Sequence, residues 1–242
     1  MPHQRRLFIK QKLKPNQNIT IENQSFHHFI RVWRCQINDT ITLFNPYQQL
    51  AQATCTHINR HHAILHINRI SNLTPPLVQT IDLGVTILHA TAMDWVIEKT
   101  TELNLPILTP IYLQNTPKAL YNENKQKHWQ AKMIAACQQS GRNHLMQITP
   151  PTPLSQWIKL QPNEIGFVAA QNLNPNNPSP QKIPKDQAIK CCIGPEAGWS
   201  KSQLQTILDH HFKPLHLGDL TLRAETASLL AAGLLLHAKD IL

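Results

Sequence analysis

The first third of the chain alternates apolar and polar residues with a period of two. Five short segments show this alternation: Arg6 to Ile9, Ile19 to Glu22, Ile41 to Phe44, Ala51 to Ile58 and Ala63 to Ile70. Successive side chains of a β-strand point to opposite faces of the sheet, so the pattern predicts strands with one buried face. The arrangement is typical of a small β-barrel.

One helix is predicted between the second and third of these strands, over Ser25 to Arg34. Its apolar residues recur at helical spacing and form one face: Phe26, Phe29, Ile30 and Trp33. The opposite side carries His28, Arg31 and Arg34. We therefore expect two arginines near one edge of the barrel.

Beyond residues 71–76, which read as a linker, strands begin to alternate with helices. The strand candidates are Ile81 to Leu88, Ile107 to Leu113, Ile165 to Ala170, Ala188 to Ile193 and Pro214 to Leu217. Helical patterns cover 92–103, 123–140, 200–210 and 225–239. This rhythm predicts a largely parallel α/β sheet. We expect two domains, 1–72 and 77–242, with the Pro- and Asn-rich stretch 171–187 as a surface connection inside the second.

Positive charge is concentrated in the first domain. Residues 1–72 hold nine Lys or Arg against two acids, whereas residues 73–242 hold fourteen against twelve, so the first stretch carries +7 of the formal +9. Neutralising phosphates releases condensed counterions, so this asymmetry favours a polyanionic partner at one end of the chain. A merely basic, solvated surface is the alternative.

Other sequence features limit the function classes. Five cysteines form no C-x-x-C pair, which argues against a zinc site or a secreted disulfide framework. No apolar stretch is long enough to span a bilayer, and we expect a cytoplasmic protein. The familiar nucleotide-binding, zinc-protease and serine-hydrolase motifs do not occur. The histidines at 57, 61, 62 and 66 lack cysteine or carboxylate companions, so we expect no metal.

Glycine is scarce, with seven in 242 residues, and three of the seven follow predicted strands at Gly194, Gly198 and Gly218. Open α/β sheets bind ligands at the carboxyl ends of their strands, where backbone must approach a ligand closely. We expect the loops at 194–198 and at 218 to lie at the carboxyl ends of neighbouring strands. Ser200 is a suitable helix N-cap after the first loop, so helix amides would open towards this site. An ordinary tight turn is the alternative for each loop.

Three further segments carry polar residues at helix ends. The loop from Leu217 to Thr226 leads into a helix with Arg223 and Glu225 in its first turn, although Thr221 or Glu225 could serve only as a cap. A second segment, Ala135 to Asn143, ends a helix at Gly141 and leaves Arg142 beyond it. The third, Glu98 to Asn104, places two glutamates on one helical face.

Together these segments resemble the RsmE family of ribosomal RNA uridine methyltransferases. The specific pair is Ile193-Gly194-Pro195-Glu196 followed by Leu222-Arg223-Ala224-Glu225-Thr226-Ala227. The segments Arg6 to Phe8, His28 to Arg34, Glu98 to Leu105 and Ala135 to Asn143 corroborate it, in an order that covers nearly the whole chain. The resemblance implies a PUA-like RNA-binding barrel joined to a SPOUT-type domain with a trefoil knot, and a homodimer acting on 16S rRNA of the 30S subunit.

The resemblance also implies S-adenosylmethionine as cofactor and assigns candidate residues. The cofactor-binding positions are Leu88, His89, Gly194, Pro195, Glu196, Gly198, Leu217, Gly218, Leu222, Arg223 and Ala224. The RNA-binding positions are Arg5, Arg6, His28, Arg31 and Arg34, and the catalytic ones are Arg223, Arg142 and Glu225. The chain departs from the family pattern at His89-Ala90, Asn104, Asn115 and Ala197, and at Asn45-Pro46.

Methylation of a uracil ring nitrogen requires loss of its proton, so the site must favour an anion. Arg223 is the first choice to stabilise that anion, assisted by Arg142 or Arg6. Arginine stays protonated, so the proton acceptor is left open among Glu196, Glu225 and His216. Two rival hypotheses are a non-enzymatic rRNA-binding relative and a SPOUT methyltransferase that acts on transfer RNA.

Overall fold

The computed structural model describes residues 5–73, 81–170 and 182–242, and side chains at 24 and 28 are outside the described set. The chain divides into two compact units. The first comprises the described part of Met1–Pro76 together with Cys137–Leu145, and the second comprises that of Leu77–Ala136 and Met146–Leu242. Cys137–Leu145 thus groups with the first unit, although it lies inside the range 77–242 that was expected to form the second domain.

A five-stranded, curled sheet forms the first unit. Its strands are β1 (Arg6–Phe8), β2 (Asn18–Glu22), β3 (Thr40–Phe44), β4 (Gln49–Ile58) and β5 (His62–Asn72), in the order β1-β3-β4-β5-β2. β1 runs parallel to β3, and the other pairs are antiparallel. Alternate residues of β2 are buried, with Ile19 and Ile21 in the core. All five strands predicted from period-two alternation are confirmed.

The predicted helix between β2 and β3 is present but is not a uniform α-helix. It consists of α1 (Asn23–His27) followed directly by a π-helical turn, His28–Val32. Phe29 is fully buried, and its neighbours on the predicted apolar face pack against the same core. The helical segment ends at Val32, two residues before the predicted end, and Arg34 beyond it has a φ of 49°, in the left-handed region.

The second unit contains a parallel sheet, which confirms the predicted α/β class. Its strands are β6 (Ile81–Thr86), β7 (Ile107–Tyr112), β8 (Gln147–Ile148), β9 (Thr152–Pro153), β10 (Glu164–Ala169), β11 (Ala188–Ile193) and β12 (Phe212–Leu215). The order is β12-β10-β11-β6-β7-β8, with β9 also beside β7. β12 begins and ends two residues before the predicted strand, and the short β8 and β9 were not predicted.

Four helices were predicted after residue 90, and all four are confirmed within two residues. They are α2 (Ala90–Glu102), α3 (Glu123–Ser140), α5 (Lys201–Asp209) and α6 (Ala224–Ala238), and a short helix that was not predicted, α4 (Leu154–Trp157), precedes β10. Within the second unit, α6 packs against α2 and against β6 and β11. No helix of the described residues is long and apolar enough to cross a membrane.

The far end of α6 is held by a buried lysine. Lys239 is 1% exposed, and its ammonium donates to the carbonyls of Pro184 (2.6 Å), Lys185 (3.0 Å) and Gln187. Cations are favourable at a helix C-terminus, and these carbonyls replace the water that the ammonium loses. The contact ties α6 to the segment that leads into β11, so both elements are fixed relative to each other.

Candidate active site

Three loops leave the carboxyl edge of the parallel sheet. They are residues 87–89 after β6, 194–200 after β11 and 216–223 after β12. β6 and β11 are adjacent and parallel, with Val85 opposite Ile193, so the first two loops begin side by side. The strand order reverses at this pair, which is where open α/β sheets bind ligands. The sheet therefore gathers most of the predicted cofactor residues at one edge.

The loops after β6 and β11 are joined by one carboxylate. Oε1 of Glu196 accepts the backbone N–H of His89 at 3.0 Å and lies 2.8 Å from Nδ1 of the same residue, which must carry a hydrogen to donate. Burial alone would raise the pKa of Glu196, but these hydrogen bonds and the nearby imidazole hold it below its ordinary value of 4.5. Glu196 is therefore ionised at neutral pH and is a weak proton acceptor.

The loop after β11 is shaped by a turn and a helix cap. The N–H of Gly198 donates to the carbonyl of Pro195 at 2.8 Å, and the φ of Gly198 is +76°, a conformation that glycine adopts without strain. Ser200 caps α5 in a capping box with Gln203, as expected. The tight turn that was the alternative interpretation is thus present. Its bond to His89 through Glu196 shows that it also belongs to a joined pair of loops.

The loop after β12 follows a different path from the one expected. The two glycine loops were expected on neighbouring strands, and this is wrong, because β10 lies between β11 and β12. The loops therefore begin two strand spacings apart, about 10 Å. However, α6 packs against β6 and β11, so residues 216–223 must pass the end of β10 to reach it. This path brings the start of α6 towards the joined loops.

Arg223 lies at the end of this path, as the N-cap of α6. Its side chain is exposed and makes no capping hydrogen bond, whereas Ala224 is buried and Glu225 lies in the first turn. The residue at the N-cap position is thus Arg223. Gly218, with a φ of +111°, bends the preceding loop. His216 lies in the same loop, with Nε2 3.5 Å from Oδ1 of Asp219.

The remaining cofactor candidates of this edge differ in exposure. Leu88 is buried, whereas Gly194, Pro195, Leu217 and Leu222 are partly exposed. A side chain at Gly194 would meet the indole of Trp199 at 3.0 Å, so a residue without a Cβ fits there. The cofactor positions therefore offer apolar surface, backbone and the carboxylate of Glu196, and no group of three metal ligands is found among the described residues.

The first unit gathers a separate set of predicted residues. Arg6 is buried, hydrogen-bonds Oδ1 of Asn143 and lies 5.6 Å over the ring of Phe44. The backbone N–H of Phe8 donates to Oε1 of Gln138 at 3.1 Å. The segments Arg6 to Phe8 and Gln138 to Asn143 therefore form one assembly, a contact that no periodic pattern of the chain indicates.

Burial lowers the pKa of both arginines of this assembly. Desolvation lowers the pKa of Arg6, and its Nε is buried without a partner among the described residues. Desolvation also lowers the pKa of Arg142 to about 10, and its Nε donates to the carbonyl of His144 at 2.5 Å. Both groups stay protonated at neutral pH, and neither is a suitable base.

The other RNA-binding candidates lie on the surface of the first unit. Arg5 is partly exposed and forms an ion pair with Asp39. Arg31 and Arg34 are exposed, as expected from the opposite side of the predicted helix. The side chain of His28 lies outside the described set.

Comparison with known proteins identifies the family. A family profile described as an RNA methyltransferase domain matches residues 75–236. The chain is 30% identical to ribosomal RNA small subunit methyltransferase E of Buchnera aphidicola subsp. Schizaphis graminum, over 93% of both chains. The chain belongs to the RsmE family. The protein of the same name from Buchnera aphidicola subsp. Acyrthosiphon pisum is 28% identical, over 93% of this chain and 90% of its own.

A solved RsmE structure shares the fold of this chain. The crystal structure of ribosomal RNA small subunit methyltransferase E from Neisseria gonorrhoeae, bound to S-adenosyl methionine, superposes with a TM-score of 0.81 at 24% identity and covers 97% of both chains. The combination of a curled sheet and a parallel sheet is therefore an RsmE arrangement.

Proposed function

We propose that this chain transfers a methyl group from S-adenosylmethionine to N3 of a uridine in 16S rRNA of the 30S subunit, in the cytoplasm. Family membership supports rRNA methylation. The observation that carries the proposal is the carboxyl edge of the parallel sheet, where Glu196 joins two loops and the third loop delivers Arg223.

The cofactor residues are those predicted from the sequence. Leu88, Pro195, Leu217 and Leu222 supply apolar surface, and the turns at Gly194, Gly198 and Gly218 bring backbone close to the ligand. His89, Glu196 and Ala224 complete the set, with Arg223 at its edge. The donor set fits a nucleoside that carries a sulfonium and an ammonium group, because it offers apolar surface, backbone groups and one ionised carboxylate. When bound, the cofactor supplies an electrophilic methyl group.

Arg223 stabilises the uracil anion. Its guanidinium is exposed at the N-terminus of α6, where helix dipole and side-chain charge have the same sign and both favour an anion. Glu196 is disfavoured as proton acceptor because its pKa is depressed, which leaves Glu225 and His216. Arg142 belongs to the first unit and remains a catalytic candidate on the strength of the family resemblance.

The first unit binds rRNA through its basic surface. The exposed contacts are Arg31 and Arg34. His28 lies with them between β2 and β3, and Arg5 directly precedes β1. Arg6 is buried, so it supports RNA binding by its hydrogen bond to Asn143 and not by direct contact with phosphate. The curled sheet is consistent with the PUA-like barrel that the resemblance implies.

A homodimer and a trefoil knot also belong to this proposal. Residues 229–236 of α6 are all apolar, yet Leu230 is 39% exposed, and an apolar helix surface of this kind is normally buried. A second copy of the chain would cover this face. The passage of residues 216–223 past β10 to reach α6 against β6 and β11 is consistent with a knotted path.

Replacement of Arg223 by alanine tests the assignment. We expect turnover on isolated 30S subunits, followed with labelled S-adenosylmethionine, to fall at least about a hundredfold, as for loss of one oxyanion donor. The dissociation constant of the cofactor, measured by calorimetry, should change less than threefold. An equal loss of both would contradict the anion-stabilising role.

Two control measurements separate the rival hypotheses. A chain that only binds rRNA would show no saturable site for S-adenosylmethionine. A transfer RNA enzyme would methylate transfer RNA in place of 30S subunits, and mass mapping of the labelled rRNA would find no methylated uridine.

A further inference from the structure

Two stacked tyrosines lie at the same edge of the parallel sheet as the cofactor loops. The rings of Tyr112 and Tyr121 are parallel within 5°, with centroids 5.0 Å apart, and both side chains are partly exposed. Tyr112 is the last residue of β7, which pairs with β6. The stack therefore stands one strand away from the loop that holds His89.

A line of basic side chains continues from this stack along α3. Lys125, His128 and Lys132 are spaced by three and four residues, so they share one side of the helix, and we call them the basic stripe. The acid that faces this stripe is Asp94 of α2, with His128 Nε2 at 2.8 Å and Lys132 Nζ at 3.4 Å. No described carboxylate lies within 4.0 Å of the ammonium of Lys118 or Lys125.

The local charge differs from that of the surrounding sequence. Residues 112–132 contain four lysines, including Lys118 between the two tyrosines in sequence, and one acid, Glu123. The rest of residues 73–242 contains ten Lys or Arg against eleven acids. The positive charge of residues 73–242 is therefore concentrated in the segment that carries the two rings.

The basic stripe also lies close to the joined loops. Asp94, which contacts His128 and Lys132, is five residues after His89 along α2. At 1.5 Å per residue, this separation is about 7.5 Å along the helix axis. A strand of RNA whose target base is at the carboxyl edge could place its next nucleotides over the stripe.

We propose that Tyr121, stacked on Tyr112, and the lysines at 118 and 125 bind single-stranded RNA beside the target uridine. A flanking base stacks on the exposed part of the tyrosine pair, and the lysines contact its phosphates. Partly exposed aromatic rings beside positive charge are the combination that binds unpaired nucleotides, because every base has a π-face and every linkage a negative charge. This inference rests on the proposed function and adds a second RNA contact outside the basic first unit.

The test compares three variants with wild-type protein by filter binding to 16S rRNA. Tyr121→Ala should weaken binding about fivefold or more, the usual effect of losing one stacked base, whereas Tyr121→Phe should bind like wild type. Lys118→Ala combined with Lys125→Ala should lower the slope of log affinity against log salt by about 1.4, or 0.7 for each lost contact to a single strand. The matched control is Lys213→Ala. Lys213 is exposed and lies on β12, the outermost strand on the side of the sheet away from β7.

Calorimetry with S-adenosylmethionine shows whether each variant is folded and keeps its cofactor site. Wild-type affinity of both Tyr121→Ala and the double lysine variant for rRNA would overturn the inference, and so would an equal loss in Lys213→Ala. If Tyr121→Ala does not fold, the salt slope of the lysine variant decides. Failure of wild-type protein to bind cofactor or methylate rRNA would instead refute the proposed function, since it does not depend on the stack.

Discussion

Replacement of Gly218 by alanine isolates the contribution of one backbone conformation to cofactor binding. The φ of Gly218 is +111°, and a Cβ placed on it would meet no atom within 4 Å. The substitution therefore adds no clash and removes no contact. Its only direct effect is the cost of holding an L-residue in a region that favours glycine.

The size of that cost follows from the backbone. A non-glycine residue held at positive φ costs roughly 1–2 kcal/mol. If the loop relaxes when it is empty, the strain must be restored on binding, and the dissociation constant of S-adenosylmethionine rises about 5- to 30-fold. If the loop does not relax, the same free energy appears as lost stability. The two losses should together amount to about 1–2 kcal/mol.

Calorimetry and urea unfolding measure the two parts, and Gly141→Ala is the matched control. Gly141 has a φ of +85°, a Cβ added to it would also meet no atom within 4 Å, and it follows α3 in the first unit. We expect Gly141→Ala to lose stability without a change in cofactor affinity. Wild-type stability and affinity in Gly218→Ala would refute the reasoning, and equal loss of affinity in both variants would show a general effect rather than a local one.

Two further predictions concern charged groups. The folded-state pKa of Glu196 is depressed, so the stability that its carboxylate contributes is present above the ordinary pKa of 4.5 and is lost as pH falls through the lower folded-state pKa. Carbon-detected NMR should show a titration midpoint of Glu196 below 4.5. A midpoint above 4.5 would contradict the hydrogen bond to His89. Lys239→Met removes the hydrogen bonds of a buried ammonium to three carbonyls and should lower the free energy of unfolding in urea by about 1–3 kcal/mol, whereas exposed Lys201→Met should have little effect.

Local patterns predicted the regular elements of this fold well. Burial on one face imposes a period of two on a strand and 3.6 on a helix, and both periods can be read without knowledge of the partner element. The strand Ala188–Ile193 and the helix Glu123–Ser140 have the predicted bounds. The candidate loops follow directly, since a ligand edge is defined by where parallel strands end.

Features set by distant parts of the chain were not predictable in this way. Two-residue strands such as Gln147–Ile148 are too short to show a period. The grouping of Cys137–Leu145 with β1 depends on hydrogen bonds between residues about 130 positions apart, such as Phe8 to Gln138. The position of β12 beside β10 is likewise a choice of pairing partner, and period-two alternation is silent on which strand is the neighbour.

The backbone position of Arg223 is determined by the packing of the whole of α6 rather than by contacts of its own side chain. Its side chain is exposed and makes no capping bond, so packing of the helix fixes where it starts. The face that includes Ala224, Ser228 and Leu235 is buried, and Lys239 binds the carbonyls before β11 at the other end. A guanidinium held this way keeps its long side chain free to meet a substrate while its backbone stays fixed. A change that loosens α6 at Lys239 should therefore reduce turnover at Arg223, about 24 Å away along the helix at 1.5 Å per residue.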